Sequence, residues 1–142
     1  MKTIKEIQNK LLEAVKQSPY NGKTLVFGEG AECPALMMIG EAPGGDEEKQ
    51  GHPFVGKAGK NLSAFLEVVG LKREEIYISN VVKLRPTKES PKTGKAVNRP
   101  PSADEIAFFL PFLQEEIKAI APKVIVTLGN VPLKAMTGKR RQ

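Results

Sequence analysis

The sequence predicts an α/β fold, with a mainly parallel sheet covered by helices on both faces. Segments with helical spacing of apolar residues alternate along the chain with short, continuous apolar runs. The run at 36–39 (Leu-Met-Met-Ile) does not alternate in polarity, as expected of a strand buried on both faces. That run opens abruptly into Gly40-Glu41-Ala42-Pro43-Gly44-Gly45. Open α/β sheets place ligands beyond the carboxyl ends of their strands, so this junction is the candidate functional edge.

Taken in order, Ile4, Ile7, Leu11, Leu12 and Val15 predict an amphipathic helix over 3–17, ended by Ser18-Pro19 and Asn21-Gly22. Residues 19–34 read as irregular, with a short extended piece at 24–27. After the first strand and its loop, Leu62, Phe65, Leu66 and Val69 predict a helix over 58–69, with Gly70 as its C-terminal cap. A second strand spans 76–82. The stretch 83–101 is rich in Pro, Lys, Thr and Gly and reads as a long surface loop. Ser102 and Glu105 form an S-x-x-E capping box at the start of a helix reaching residue 120, with Ile106, Phe109, Leu110, Leu113 and Ile117 inward. Pro111 inside it predicts a kink. A third strand at 124–128 and a last helix through Met136, ended by Gly138, complete the pattern. The loops that begin at Gly40, Asn80 and Gly129 all leave carboxyl ends of strands, so they are expected to converge on one rim.

The chain is 142 residues long, and one domain over 1–142 is expected. Lys plus Arg number 22 against 16 Asp plus Glu, a net charge of +6. This suits a polyanionic partner and equally suits simple solubility. Part of the excess is a C-terminal run, Lys134, Lys139, Arg140 and Arg141. The one cysteine, Cys33, excludes an internal disulfide framework and an all-cysteine metal site within one chain, and fits a reducing cytoplasm. The N-terminal pattern is amphipathic, unlike a signal peptide, and no apolar run approaches the ~20 residues of a membrane span. A cytoplasmic monomer with no membrane association is expected.

At the rim, Glu41 is either a carboxylate that orients a water or stabilises a cation, or an acid that closes the loop by capping backbone amides. Phe54, in Gly51-His52-Pro53-Phe54-Val55-Gly56, is either a stacking platform for a planar ligand or a ring folded onto the core. Asn80 presents a donor beside an acceptor and can read the edge of a base or amide; the alternative is a strand-end turn residue. Asp46 and Glu47 read as solvated or helix-facing acids, and His52 as exposed. One His and one Cys give little support to a Cys-His pair or a Ser-His triad. A phosphate cradle is disfavoured as well. G-x-x-x-x-G-K-[ST] and G-x-G-x-x-G are both absent, and three acids follow the loop.

Three motifs in order, GEAPGGDEEKQGHPFVGKAG, NVVKLRP and APKVIVTLGNVPLKAMTG, resemble the uracil-DNA glycosylase superfamily, and within it the family four branch. The resemblance covers roughly residues 36–138. It implies a three-layer α/β/α sandwich and hydrolysis of the N-glycosidic bond of flipped-out deoxyuridine in uracil-containing DNA, a step of base-excision repair. A non-catalytic uracil- or DNA-binding module of the same fold is the alternative. By the resemblance, Glu41 is the catalytic carboxylate and Phe54 stacks on uracil. Asn80 reads the uracil edge, and Gly40, Ala42, Pro43 and Gly44 shape the pocket with backbone amides available to the base. Glu47 is counted with Glu41 among the catalytic residues and lies beside the pocket, near the uracil C5 position. Lys57, Lys60, Lys83, Arg85 and Arg99 are candidate phosphate contacts. Many family four members hold a four-iron cluster on four cysteines. Here Leu84 stands where those relatives carry a cluster cysteine, so no iron–sulfur cluster, and no other metal, is expected. The family's C-terminal His-Pro segment has no counterpart after Leu128, so the domain is expected to be C-terminally incomplete, and His52 does not take that role.

Overall fold

In the computed structural model, which describes residues 2–138, the chain runs α1 (Ile4–Lys16), β1 (Glu29–Gly30), β2 (Leu36–Gly40), α2 (Gly45–Gln50) and α3 (Lys57–Val69). A 3-10 turn (Arg73–Glu75), β3 (Tyr77–Asn80), β4 (Thr87–Glu89), β5 (Ala96–Asn98), α4 (Ala103–Ile120), β6 (Val124–Thr127) and α5 (Asn130–Thr137) follow. Lys139, Arg140 and Arg141 of the basic run lie outside the described residues.

The central sheet has the order β1-β3-β2-β6. β2 is parallel to both β3 and β6, and β1 closes one edge antiparallel to β3. Alternate residues of β2 enter different layers, as a pleated strand requires. Met37 and Ile39 pack with Leu11 and Val15 of α1 and Phe109 and Leu113 of α4. Met38 packs with Ile78, Leu62 and Leu66, against α3. The architecture is therefore helix, sheet, helix, and the continuous apolar run at the centre of the sheet reflects cover on both faces. The parallel register sets Gly40 beside Asn80, so the rim loops converge as the alternation predicts.

The helix signals hold at the level of individual caps. Thr3 Oγ1 accepts the Glu6 amide at the start of α1. Ser102 and Glu105 form the reciprocal box, at 3.1 and 2.8 Å. Gly70 takes the left-handed conformation (φ +76°) after α3.

Several expectations need correction. Glu29–Gly30 forms an unpredicted edge strand, and the extended piece at 24–27 makes only a bridge from Leu25 to Leu84. The second strand ends at Asn80, not at residue 82; Val81 and Val82 are buried beyond it. The expected loop at 83–101 contains an antiparallel hairpin, β4 with β5. On α3, Phe65 and Val69 are 42% and 47% exposed, so the buried stripe is Leu62 and Leu66 alone. Leu12 of α1 is likewise exposed. Pro111 lies on the exposed side of α4, which runs on through it from Ala103 to Ile120.

Two acids on α4 are buried. Glu105 receives a bidentate contact from Arg99, at 2.8 and 2.9 Å, which ties the end of the hairpin to the helix start. Glu116 accepts Tyr77 Oη and Ser79 Oγ, both at 2.8 Å, and pairs with buried Lys83 at 3.0 Å. Burial, and then Glu116, push the Tyr77 phenol upward, so it stays protonated and donates.

The Arg99 guanidinium, against the opposing effect of burial, holds the Glu105 carboxyl down to about 2, from an ordinary 4.5. A carboxyl depressed in the folded state adds stability above its unfolded pKa and loses it as pH falls through the folded value. The stability difference between the wild type and Arg99→Gln is therefore expected to be full above about pH 4.5 and to shrink towards about pH 2. Denaturant midpoints of the two proteins across that window check this; a difference that is constant with pH rejects it.

Candidate active site

At the carboxyl ends of β2 and β3 lies a cavity of about 480 Å³ lined by Gly40, Glu41, Ala42, Phe54, Asn61, Phe65 and Asn80, with Met38, Ala58, Leu62, Val126 and Leu128 completing an apolar floor and wall. Its tightest point is Gly40. A Cβ placed there would stand 2.5 Å from Asn80 Oδ1 and 2.5 Å from Phe54 Cζ. The amide and the ring thus approach the same point of backbone from two sides, and only a residue without a side chain lets both do so.

The Phe54 ring is held by an unusual backbone. Phe54 has φ +55°, a left-handed value that is an outlier for a bulky residue and costs on the order of 1–3 kcal/mol. Arg73 restrains it: Nη1 donates to Phe54 O at 2.8 Å and Nη2 donates to Pro53 O. Gly59 of α3 packs its bare Cα against the same Phe54 carbonyl, where a side chain would collide.

Glu47 fixes the other end of this loop. Its Oε1 accepts the Gly44 amide at 2.9 Å, and its Oε2 accepts the amides of Val55 and Gly56 at 3.0 and 2.9 Å. Burial raises this carboxyl, but the amides of Gly56, Gly44 and Val55 together outweigh burial and hold it below the ordinary carboxylate range. Glu47 is therefore a buried loop fastener, where a solvated or helix-facing acid was expected. Both of its oxygens accept from its own loop, and Glu47 is not among the residues that line the cavity. The Gly44 amide is spent in the same way and is not free for a base, and Pro43, which is buried, has no N–H to offer.

Glu41 differs. Among the described residues nothing hydrogen-bonds its carboxylate, and it lines the cavity half-buried. Capping of loop amides, the alternative open for Glu41 in the sequence, is performed by Glu47. Asn80 is 3% exposed and its side-chain amide has no hydrogen-bond partner among the described residues. Its backbone carbonyl is held by Lys83 Nζ, which also donates to Ser79 Oγ at 3.0 Å. The Lys83–Glu116 pair thus sits directly under the strand end that presents the amide.

The expected phosphate contacts divide. Lys57 and Lys60 are exposed on the first turn of α3. Lys83 is 3% exposed and ion-paired, so it cannot reach a phosphate. Arg85 turns inward, with Nε on Asn98 Oδ1 at 2.7 Å and Nη1 3.7 Å from Glu48. Arg99 is engaged by Glu105 and by the carbonyls of Thr87 and Pro100. His52 is exposed, its Nδ1 2.8 Å from Glu29. The residues do not fit a four-cysteine cluster. Cys33 is exposed, and Leu84, at the position of a cluster cysteine in the resembled family, is buried in the main core. Among the described residues no three His, Cys, Asp or Glu side chains group as metal ligands, and no helix is long and apolar enough to cross a membrane.

Sequence reasoning missed Asn61 and Arg73. Asn61 carries a faint signal, a polar side chain one turn before Phe65 on the flank of the apolar stripe. Arg73 carries none, because its partners lie 19 and 20 residues away in an irregular loop.

A model of the uracil DNA glycosylase superfamily matches residues 27–142. The chain is 39% identical over 141 residues to a type-4 uracil-DNA glycosylase of Sulfurisphaera tokodaii, covering 98% of this chain and 60% of that protein. It is 44% identical over 109 residues to a type-4 uracil-DNA glycosylase of Saccharolobus solfataricus, covering 76% and 46%. A DNA polymerase of Bacillus phage SP01 is 33% identical over 111 residues, 78% of this chain and 11% of the polymerase. The chain thus spans about half to three-fifths of the length of these two glycosylases.

Glu47→Gln replaces one acceptor with a donor facing backbone donors. It is expected to cost about 1.5–3 kcal/mol of stability and to speed hydrogen exchange at the Gly44, Val55 and Gly56 amides. Unchanged exchange at those amides would falsify the fastening role.

Proposed function

The chain belongs to the uracil DNA glycosylase superfamily, and on that premise we propose that it hydrolyses the N-glycosidic bond of deoxyuridine flipped out of DNA, in base-excision repair. The observation that carries this reading is the cavity itself. Among the described residues, a carboxylate with no protein partner, an amide with no protein partner and an aromatic ring open into one space, and the amide and the ring close on a glycine that admits both.

Each group has a part in the chemistry. Unstacking a base costs a few kcal/mol, and Phe54 recovers some of it, since base–aromatic stacking is worth ~1–3 kcal/mol. The Asn80 amide matches the N3–H donor and O4 acceptor of uracil and opposes the reversed pattern of cytosine. Leaving polar groups unpaired is what makes such a site discriminate strongly. As the C1′–N1 bond breaks, its electron pair leaves with uracil and positive charge develops on the sugar. Glu41 stabilises that charge and orients the water whose oxygen bonds to C1′; the proton the water loses ends on the departing uracil anion. Glu47 has a different part in this reading: it positions Phe54 and Gly44 and does not touch the base. Lys57 and Lys60 remain as phosphate contacts beside the cavity.

The other features follow the same reading. We expect a monomer acting in the cytoplasm, with DNA as the sole macromolecular partner. The enzyme works without an iron–sulfur cluster, because one cysteine cannot supply four thiolates. Elemental analysis of purified protein is expected to give no stoichiometric iron; four iron atoms per chain would reject this.

The direct test is a uracil-containing oligonucleotide. Wild-type protein is expected to leave an alkali-labile abasic site. Glu41→Ala and Asn80→Ala are each expected to slow its formation on the order of 10²-fold or more, by analogy with loss of one transition-state-stabilising group. Tight binding of uracil DNA with no abasic product, at excess protein, would replace this reading with that of a non-catalytic binding module.

A further inference from the structure

From the placement of three lysines we infer that the β4–β5 hairpin is a DNA-gripping arm, whose Lys88, Lys92 and Lys95 contact backbone phosphates flanking the flipped nucleotide. The inference rests on the reading of the cavity as a DNA site, and it assigns that site's phosphate contacts to residues other than Lys83, Arg85 and Arg99.

The hairpin is built as a rigid projection. Its register is Thr87 with Asn98, Lys88 with Val97 and Glu89 with Ala96. The tip is closed by Ser90 and Lys95, at 2.8 Å, and by the Gly94 amide on Ser90 O, with Gly94 at φ +70°. Both arginines of the segment are turned inward as anchors. Arg85 braces Asn98 across the base, and Arg99 binds Thr87 O at 2.8 Å and clamps Glu105 of α4.

The base of the hairpin stands against the rim loop that follows β2. A Cβ on Gly44 would lie 3.3 Å from Asn98 Nδ2, and one on Gly45 would lie 3.3 Å from Arg85 Nη2. These glycines continue the loop that carries Glu41. From Arg85 to Ser90, at about 3.3 Å per residue, the arm reaches up to about 16 Å from that rim. That span matches roughly five phosphates along one strand.

The charge left on the arm is exposed, and cations outnumber acids three to one. Lys88, Lys92 and Lys95 are all exposed, and none has an ion-pair partner among the described residues. The segment's one acid is Glu89, also exposed. Engaged, half-buried arginines at the base and free lysines at the tip and sides suit a surface that meets a polyanion without base readout.

The test compares two triple variants that lose the same charge. Lys88→Gln/Lys92→Gln/Lys95→Gln removes the arm's cations. Lys5→Gln/Lys118→Gln/Lys123→Gln removes exposed cations near the opposite end of the sheet. Affinity for a fluorescein-labelled, uracil-free duplex is measured by anisotropy across salt concentrations, and abasic-site formation on uracil DNA is followed in parallel. The arm variant is expected to bind more weakly at low salt, with a slope of log affinity against log salt shallower by about 2–3, at ~0.9 per phosphate contact. The control variant is expected to keep the wild-type slope. Equal slopes in the arm variant and wild type, or equal losses in both variants, overturn the inference. Wild-type excision with an unchanged arm-variant slope rejects the arm alone. Salt-dependent binding through the arm without excision rejects the glycosylase reading and leaves the arm standing. Absence of wild-type DNA binding rejects both.

Discussion

Three backbone amides, those of Gly44, Val55 and Gly56, converge on the buried carboxylate of Glu47, and the geometry of the cavity depends on that convergence. A Gly/Pro-rich loop of this length has no ladder of its own to satisfy its N–H groups. A single ionised acceptor gathers them from the starts of α2 and α3, and charge-assisted hydrogen bonds are about twice as strong as neutral ones. The loop that follows β2 is thereby fastened to the segment that carries Phe54. With Arg73 and Gly59 holding the Phe54 carbonyl from the other side, the ring keeps a backbone conformation it would not adopt alone.

A second polar device lies beneath the sheet. Lys83 and Glu116, buried with Tyr77 and Ser79, brace the backbone at Asn80 from the side opposite the cavity. Breaking one member of such a pair strands a charge in low dielectric, so its worth lies less in net stability than in fixing one arrangement. The two devices meet at Gly40, where ring and amide fill the place a side chain would take. Their combined effect is preorganisation: the groups that would receive a base are set by interactions that none of them makes with the base.

Cationic residues in this chain do two kinds of work, and burial separates them. Lys83 is buried and Arg73, Arg85 and Arg99 are half-buried, and each is engaged by carboxylates or carbonyls of the chain. Lys57, Lys60, Lys88, Lys92 and Lys95 remain exposed. The net charge of +6 therefore understates how unevenly positive charge meets solvent around the rim.

The alternation of helical and continuous apolar periods, read from the sequence by itself, determined the α/β class and the parallel sheet. It also placed Gly40 and Asn80 on one rim, because parallel strands joined by right-handed crossovers end on the same side of their sheet. The capping residues Thr3, Gly70 and Ser102 were legible for the same reason: a cap is satisfied within a few residues of itself. Which acid stands free and which is spent was not legible. Glu41 and Glu47 lie in one motif, and their difference is made by amides brought back from 55 and 56. Neither were the burial of Lys83, the hairpin within 83–101 and the grip of Arg73 on Phe54. Each depends on partners distant in sequence, and side-chain periodicity carries no information about which distant donor will meet which acceptor. Tertiary structure decided those pairings, because an ionised or polar group takes its role from whatever remains to solvate it once the chain has closed around it.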